Sequence, residues 1–480
     1  MSGMFEVAII GAGFSGLGAA IKLREKGIEN IVILERSDRV GGTWRDNRYP
    51  GAACDIPSAL YSFSFAPKGK WSRMYAGSNE ILDYIEGLVD HYGLAPLIRY
   101  NHTVSEMTFE ESAQRWHLET AEGRAIVARN VVVASGPFAG AKIPDFDGLE
   151  HYKGHVIHSA DWDHEYDFRG KRVAVIGTGA SGVQIIPELV KKAERVVVFQ
   201  RTPGWVLPKR NPANPDRILR PILFWAHEAM ATGVVWTSPV TGLLERRAKA
   251  YMKKTVLDPW LRRQLTPEYR IGCKRVLMSS DYYPALNAKN CKLVTWPIVR
   301  FGERGIVTAA ALEYEADCVV FATGFDVGHY GLPYKVNGAD GRDLATEWQK
   351  TGAQAYKSVS IEGFPNLFMT FGPNSGPGHN SALVYVEAQL DYIARAIAAM
   401  RHKGIASLDV KPDRQKAYNE EIQKRLAGTN WNSGCQSWYL NENGFNATMY
   451  PGFATQFQRE LGRFSLQDYD VKGTGSPQPD

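Results

Sequence analysis

Three observations predict an α/β protein built from two parallel-sheet units with a helical insertion. The pattern G-x-G-x-x-G occurs twice, at 11–16 and 177–182, each time between an apolar run of strand length and a helix-forming stretch. Two further apolar runs, VVVASG at 131–136 and CVVFATGF at 318–325, end in small residues and read as additional buried strands. The length of 480 residues, with 44% hydrophobic residues, supports roughly three domains with real cores.

The first unit opens on FEVAII, a buried strand, and turns at Gly11-Ala12-Gly13-Phe14-Ser15-Gly16. The helix that follows offers Leu17, Ala20, Ile21 and Leu23 to a core, with Gly27 as its expected C-cap. IVILE closes the unit and places Glu35 at the tip of the second strand. Such glycines permit a tight turn and a close backbone approach to a pyrophosphate, which then rests on helix N-terminal amides. An acid at the strand tip accepts hydrogen bonds from ribose hydroxyls. This is the arrangement of a Rossmann-like dinucleotide site.

The second unit repeats the plan with KRVAVIGTGASG, which supplies Gly177, Gly179 and Gly182, then the helix VQIIPELVKKA and the strand RVVVFQR. That strand ends in Gln200-Arg201-Thr202, with no acid. A guanidinium in place of a carboxylate suits a ribose bearing a 2′-phosphate, hence NADPH rather than NADH. Two dinucleotide sites in one chain suggest FAD in the first unit and NADPH in the second. The expected division is 1–146 with 326–480 for FAD, 147–208 with 267–325 for NADPH, and a helical insertion in the NADPH domain over 209–266, rich in Pro, Trp and Arg.

Composition removes other classes. Intrinsic disorder and collagen-like repetition do not fit 22% charged residues and this apolar fraction. The five cysteines, Cys54, Cys273, Cys291, Cys318 and Cys435, lie far apart with no C-x-x-C pair, which argues against a disulfide framework, a cysteine metal site and a dithiol enzyme. That usage fits a reducing compartment, and with no export signal at the N-terminus a cytoplasmic location is expected. No metal is expected. The most apolar later stretch, 218–244, is interrupted by Arg220, Glu228, Gly233, Pro239 and Gly242, too often for a spanning helix of about 20 residues. The net charge of +5 concentrates between Leu244 and Val276, where ten Lys/Arg face three Asp/Glu. No nucleic-acid motif accompanies it. Membrane-surface contact through Trp225, Trp236 and this stretch is the less favoured reading, a solvated helical face the preferred one. The tail VKGTGSPQPD is expected to fray.

The motifs that choose among flavoproteins lie between and beyond the two turns. HYKGHVIHSADWD at 151–163 carries Tyr152, Gly154, His158 and Trp162 at the spacing Y-x-G-x-x-x-H-x-x-x-W. Here the chain resembles the flavin-dependent Baeyer–Villiger monooxygenases, whose fingerprint has Phe where Tyr152 stands. Related enzymes that oxidise amines and sulfides end this motif in Tyr or Phe, so Trp162 discriminates. GGTWRDNRYPGAACDIPSALYSFSF (41–65), QRTPGWVLP (200–208), GCKRVLMSSDYYPAL (272–286), ATGFD (322–326), GPNSGPGHNS (372–381) and QSWY (436–439) are similar in sequence and order. GCKRVL and GHNS place the chain nearest the subgroup acting on aryl ketones.

The resemblance implies an NADPH- and oxygen-dependent enzyme that inserts oxygen next to a ketone carbonyl through a C4a-peroxyflavin, giving an ester or lactone. Arg275 matches the family's catalytic arginine and Asp55 the acid that holds it. Lys274 matches a second contact to the 2′-phosphate, beside Arg201 and Thr202, and Trp438 a tryptophan at the nicotinamide-side ribose. The expected cofactor contacts are Gly11, Gly13, Phe14, Ser15, Gly16, Glu35, Gly42, Thr43, Trp44, Asp55, Tyr61, Gly177, Thr178, Gly179, Ser181, Gly182, Arg201, Thr202, Lys274 and Trp438. His158 is expected on the interdomain linker in a structural role, and the His379 loop is expected to present backbone amides near the flavin. The alternatives are the same flavin chemistry on a thioether or amine, or a non-oxygenating flavoprotein or NADPH oxidase. Oligomeric state, substrate identity and the role of the insertion are not legible.

Overall fold

The computed structural model describes residues 3–138, 140–213, 219–325, 332–435, 437–441 and 443–473. Asp326 and Gln436 of the motifs above lie outside this set, as does the tail from 474. The part of the expected frayed tail that is described behaves otherwise: Tyr469–Gly473 is a strand, paired antiparallel with Ile405–Val410.

Two sheets organise the chain. In the first, Phe5–Ile10 lies between Ile31–Leu34 and Ala125–Val133, parallel to both. Val7–Ile10 and Ile31–Leu34 are buried throughout, as apolar strands covered on both faces must be. An antiparallel meander, Val104–Glu110 to Arg115–Thr120 to Ala125–Val133, extends the sheet. The second sheet holds five parallel strands in the order Cys291–Val294, Arg195–Phe199, Arg172–Ile176, Cys318–Phe321, His155–His158. The chain therefore leaves the first sheet after 133, builds the second, and returns first as Lys335–Asn337 beside Val104–Glu110 and then as Leu367–Met369 beside Ala125–Val133.

Residues 209–266 contain three helices, Arg220–Val234, Pro239–Thr255 and Pro259–Gln264. The first two touch, with Thr241 Oγ1 donating to the Gly233 carbonyl (3.0 Å), yet the set feeds two different cores. Ala231 and Val235 join the core around the first glycine turn, whereas Met252, Leu261 and Leu265 join the core of the second sheet. Glu228, 4% exposed, fixes the first of these helices. Its carboxylate accepts from His379 Nε2 (3.1 Å), Asn380 Nδ2 (3.0 Å), the amides of Ala454 and Thr455, and Thr455 Oγ1. The neighbouring His227 Nδ1 donates to the His379 carbonyl at 2.7 Å. On the second helix Arg246, Arg247, Lys249, Lys253 and Lys254 are exposed, so the basic stretch there lies on an open face.

The long helix Ala382–Lys403 is capped by the Ser381 side chain and stops at Gly404, which is left-handed (φ 61°). The first helix, Phe14–Arg24, ends earlier than expected, with Glu25 rather than Gly27 at its C-cap. Among the described residues no helix is long and apolar enough to cross a membrane.

The cysteine reading needs correction. Cys273 and Cys435 form a disulfide, with Cα atoms 6.2 Å apart. They are separated by 162 residues, and the wide spacing that argued against bridges says nothing about what folding brings together. Cys54, Cys291 and Cys318 are free thiols.

Candidate active site

The two glycine turns are built alike, for the same steric reason. Gly11 and Gly177 adopt φ values of 105° and 108°, and a Cβ on either would come within 2.7 Å of the Ala134 carbonyl or 2.4 Å of the Ala322 carbonyl. Ala134 and Ala322 belong to the two small-residue strand ends, which explains why VVVASG and CVVFATGF accompany the turns. A Cβ on Gly16 or Gly182 would sit 1.8 or 2.3 Å from the carbonyl of the first glycine, so these residues let helix and strand touch. Neither helix has an acid in its first turn or a side-chain cap, which leaves its N-terminal amides available to an anion.

One cleft opens over the first turn. Gly11, Gly13, Phe14 and Ser15 line it from the turn, Glu35 from the strand tip, and Gly42, Thr43, Trp44 and Tyr61 from the loop. Gly16 lies behind it as a packing residue. Trp44 Nε1 donates to Tyr61 Oη (3.2 Å), and the rings meet edge to face at 5.5 Å. The cleft also takes in residues that the sequence reading missed. Arg45, 8% exposed, donates to Glu35 Oε1 at 2.8 Å. Glu35 accepts in addition from the Ala12 and Ser37 amides, so three of its roughly four acceptor positions are filled within the protein. Its carboxylate thus fixes the turn. The start of the long helix, at Ala382, Leu383 and Val386, closes another wall. Only the third dimension places it there.

Over the second turn Gly179 is exposed, with open space where its Cβ would stand. Thr178 is buried, and Ser181 precedes the helix with its hydroxyl unused as a cap. Gln200 is buried and donates to the Gln264 carbonyl (2.9 Å), while Arg201 and Thr202 are exposed beyond it. Lys274 stands close to Arg201: burial lowers its pKa first, and the neighbouring guanidinium adds to that. Neither cation has a carboxylate partner among the described residues, although Lys274 Nζ lies 5.1 Å over the Tyr269 ring. Two adjacent unpaired cations fit a dianionic phosphate.

The loop 41–65 spans the two units. Gln184, on the second unit's first helix, accepts from Tyr49 Oη (3.0 Å) and donates to the Ala53 carbonyl (2.9 Å). Two residues further along, Asp55 meets Arg275 in a fork: Nε to Oδ2 is 2.8 Å and Nη2 to Oδ1 is 2.7 Å. Burial pushes the Asp55 carboxyl up, but the Arg275 charge and hydrogen bonds, with Lys209 adding to them, hold it below its usual value. Asp55 in turn raises Arg275, so both stay ionised. The arginine is 38% exposed, and Nη1 has no partner among the described residues. Lys209, a cation the sequence reading missed, donates to the Cys54 carbonyl at 3.0 Å.

Trp438 does not line the cleft over the first turn. It is 44% exposed and packs edge to face on Tyr439 (4.6 Å). Tyr439 is itself buried and lies within electrostatic reach of Arg275 and Asp55.

The fingerprint motif contributes to packing in the second unit. Tyr152 Oη donates to the Ala316 carbonyl (2.8 Å), giving the hydroxyl that replaces Phe a buried acceptor. A Cβ on Gly154 would collide with that ring, 2.1 Å from Oη. Trp162 stacks on Phe168 in the second core. His158 ends a strand, burial lowers its pKa, and Nδ1 accepts from the Ala160 amide.

The chain is similar to known proteins. Residues 5–335 match the flavin-binding monooxygenase-like family. A Baeyer–Villiger monooxygenase of Streptomyces coelicolor is 43% identical, covering 97% of this chain and 92% of the relative. The chain belongs to the Baeyer–Villiger branch of that family. Among solved structures, a steroid monooxygenase bound to NADP superimposes with a TM-score of 0.87 at 30% identity, covering 98% of this chain and all of that one. OTEMO in complex with FAD and NADP reaches 0.90 at 25% identity over the same shares. The chain is accordingly an FAD- and NADPH-dependent monooxygenase that inserts oxygen next to a ketone carbonyl.

Proposed function

We propose that Arg275, held by Asp55, is the fixed positive charge of the Baeyer–Villiger reaction, and that Arg201 and Lys274 select NADPH. The observation that carries this reading is the two-pronged Arg275–Asp55 contact, which joins the loop of the flavin cleft to the segment bearing Lys274. When bound, FAD would supply the redox and oxygen chemistry. The protein positions and charges the site around it. Asp55 occupies two of the guanidinium's donor positions, and Nη1 remains to face developing negative charge. A guanidinium suits that task because it stays protonated in a low-dielectric site and its fork is rigid.

The glycine turns and open helix ends bind the two pyrophosphates, and Gly42, Thr43, Trp44 and Tyr61 shape the flavin wall. Trp438 packs on Tyr439, which neighbours the Arg275–Asp55 pair. A cytoplasmic setting supplies NADPH, and neither nucleic acid nor a membrane surface is required by any of these contacts.

Incubation of the holoenzyme with NADPH, O2 and a panel of linear, cyclic and aryl ketones tests the reading. Ketone-stimulated NADPH consumption with ester or lactone product is expected, and exclusive sulfoxide formation from thioethers would overturn it. For the nicotinamide side, Arg201→Ala and Lys274→Ala are each expected to raise KM for NADPH about 10- to 100-fold, the worth of one charge-assisted hydrogen bond. Turnover with NADH should hardly change, so the NADPH/NADH ratio of kcat/KM is the measurement.

A further inference from the structure

Residues 430–435 and 437–441 are tied down in two different ways. Before Cys435, beside local turns at Asn432 and Ser433, Asn430 makes long-range contacts. The Asn430 amide donates to the Val235 carbonyl (2.7 Å), and its side chain joins Gly233, Val234 and Thr237 at the end of the helix Arg220–Val234. After Cys435 they are local. Tyr439 and Leu440 bond to Ser437, and Asn441 to Asn443, Gly444 and Phe445. Among the described residues, no hydrogen bond or ion pair of 437–441 reaches the segment that carries Arg275.

What joins them is the nearness of Tyr439 to Arg275 and one covalent bond. Cys273 immediately precedes Lys274 and Arg275, and Cys435 lies shortly before Trp438 and Tyr439. Cys273 is fully buried, and its amide donates to the Arg270 carbonyl, so this half of the bond is firmly seated. Cys435 is only half-buried, which leaves its side open to a small thiol. A cross-link across so long a loop removes freedom that local hydrogen bonds cannot restrain.

We propose that Cys273 and Cys435 form a redox latch on the Trp438–Tyr439 segment. Closed as the disulfide, it holds Tyr439 over the Arg275–Asp55 pair and keeps water from the oxygenation site; opened by a dithiol, it lets the segment depart. In opening, a thiolate of the dithiol attacks Cys435 Sγ, the protein S–S bond breaks, and Cys273 leaves as a thiolate that takes up a proton. The second thiol then attacks the mixed disulfide, so the products are two cysteine thiols and the oxidised dithiol. Two electrons pass from dithiol to protein. The two cysteines are positioning residues, acting through Tyr439 and Arg275.

The consequence for turnover rests on the monooxygenase reading above. Opening should divert NADPH oxidation from ester to hydrogen peroxide and raise KM for NADPH, because Lys274 adjoins the latch. The test uses FAD-loaded enzyme with and without dithiothreitol, alongside the C273S/C435S variant. Alkylation under denaturing conditions should count the three free cysteines before reduction and all five after. In the wild type, reduction is expected to lower ester formed per NADPH by about threefold or more. The variant should show the lowered ratio with or without dithiol.

Five alkylated thiols in oxidant-treated enzyme would overturn the latch, as would an equal coupling ratio in both redox states of the wild type. If the variant fails to fold, the wild type's two redox states decide alone. If no ketone yields ester in either state, the reaction assignment fails. The thiol count and the redox dependence of KM for NADPH then still decide the latch.

Discussion

Replacing Arg275 by Ala is expected to lower ester formation about 10²- to 10³-fold, the cost of removing a donor aimed at developing negative charge. Anaerobic reduction of bound FAD by NADPH should survive within a few-fold, because the guanidinium is committed to Asp55 and not to the dinucleotide turns. Arg275→Lys keeps the charge but loses the fork, so it should recover only a minor part of the activity. Asp55→Ala leaves the arginine without its two-point anchor, and its loss should fall between those of the two Arg275 variants. Stopped-flow reduction and product yield per NADPH measure the two halves separately. An unchanged product yield in Arg275→Ala would remove the residue from the mechanism.

The second large effect concerns stability. Glu228→Ala strips a buried carboxylate from five donors and should cost about 3 to 5 kcal/mol. Glu228→Gln should recover little, because its amide nitrogen must face the Thr455 donors. The loop held by Glu228 contains Asn380 and leads directly into the capped helix at Ser381, so loosened FAD should accompany the lowered melting temperature. Thermal melting followed by released flavin fluorescence reads both.

The same carboxylate sets a pH dependence. Burial raises it, but hydrogen bonds from His379 and Asn380 outweigh that and bring it to about 2. A folded pKa below the unfolded one means that the stabilisation is complete above the ordinary value of 4.5 and is lost as pH falls toward about 2. Wild-type melting should therefore drop across that window more steeply than Glu228→Gln does.

Both glycine turns, their strands and helices, and the missing acid after Phe199 were legible in the sequence. A turn that brings a carbonyl within 3 Å of a Cβ admits only glycine, and that constraint is local. The pairing of Asp55 with Arg275 was inferred only through resemblance. Arg45, Lys209 and the wall at Ala382 escaped notice because an isolated Arg, Lys or Ala carries no signal of what will face it. Glu228 read as an interruption of an apolar stretch, whereas in the fold it is what docks that stretch onto the flavin half.

By itself the sequence determined the α/β class, the two nucleotide turns and the preference for a phosphorylated cofactor. Each of these depends on residues within about one strand–turn–helix of one another. Only the tertiary structure decided what happens between the turns: the fork from Asp55 to Arg275, the carboxylate hub at Glu228 and the Cys273–Cys435 bond. Each of these joins residues more than 150 positions apart. Spacing along a chain says nothing about such contacts, because packing of the whole chain, and not local geometry, brings the partners together.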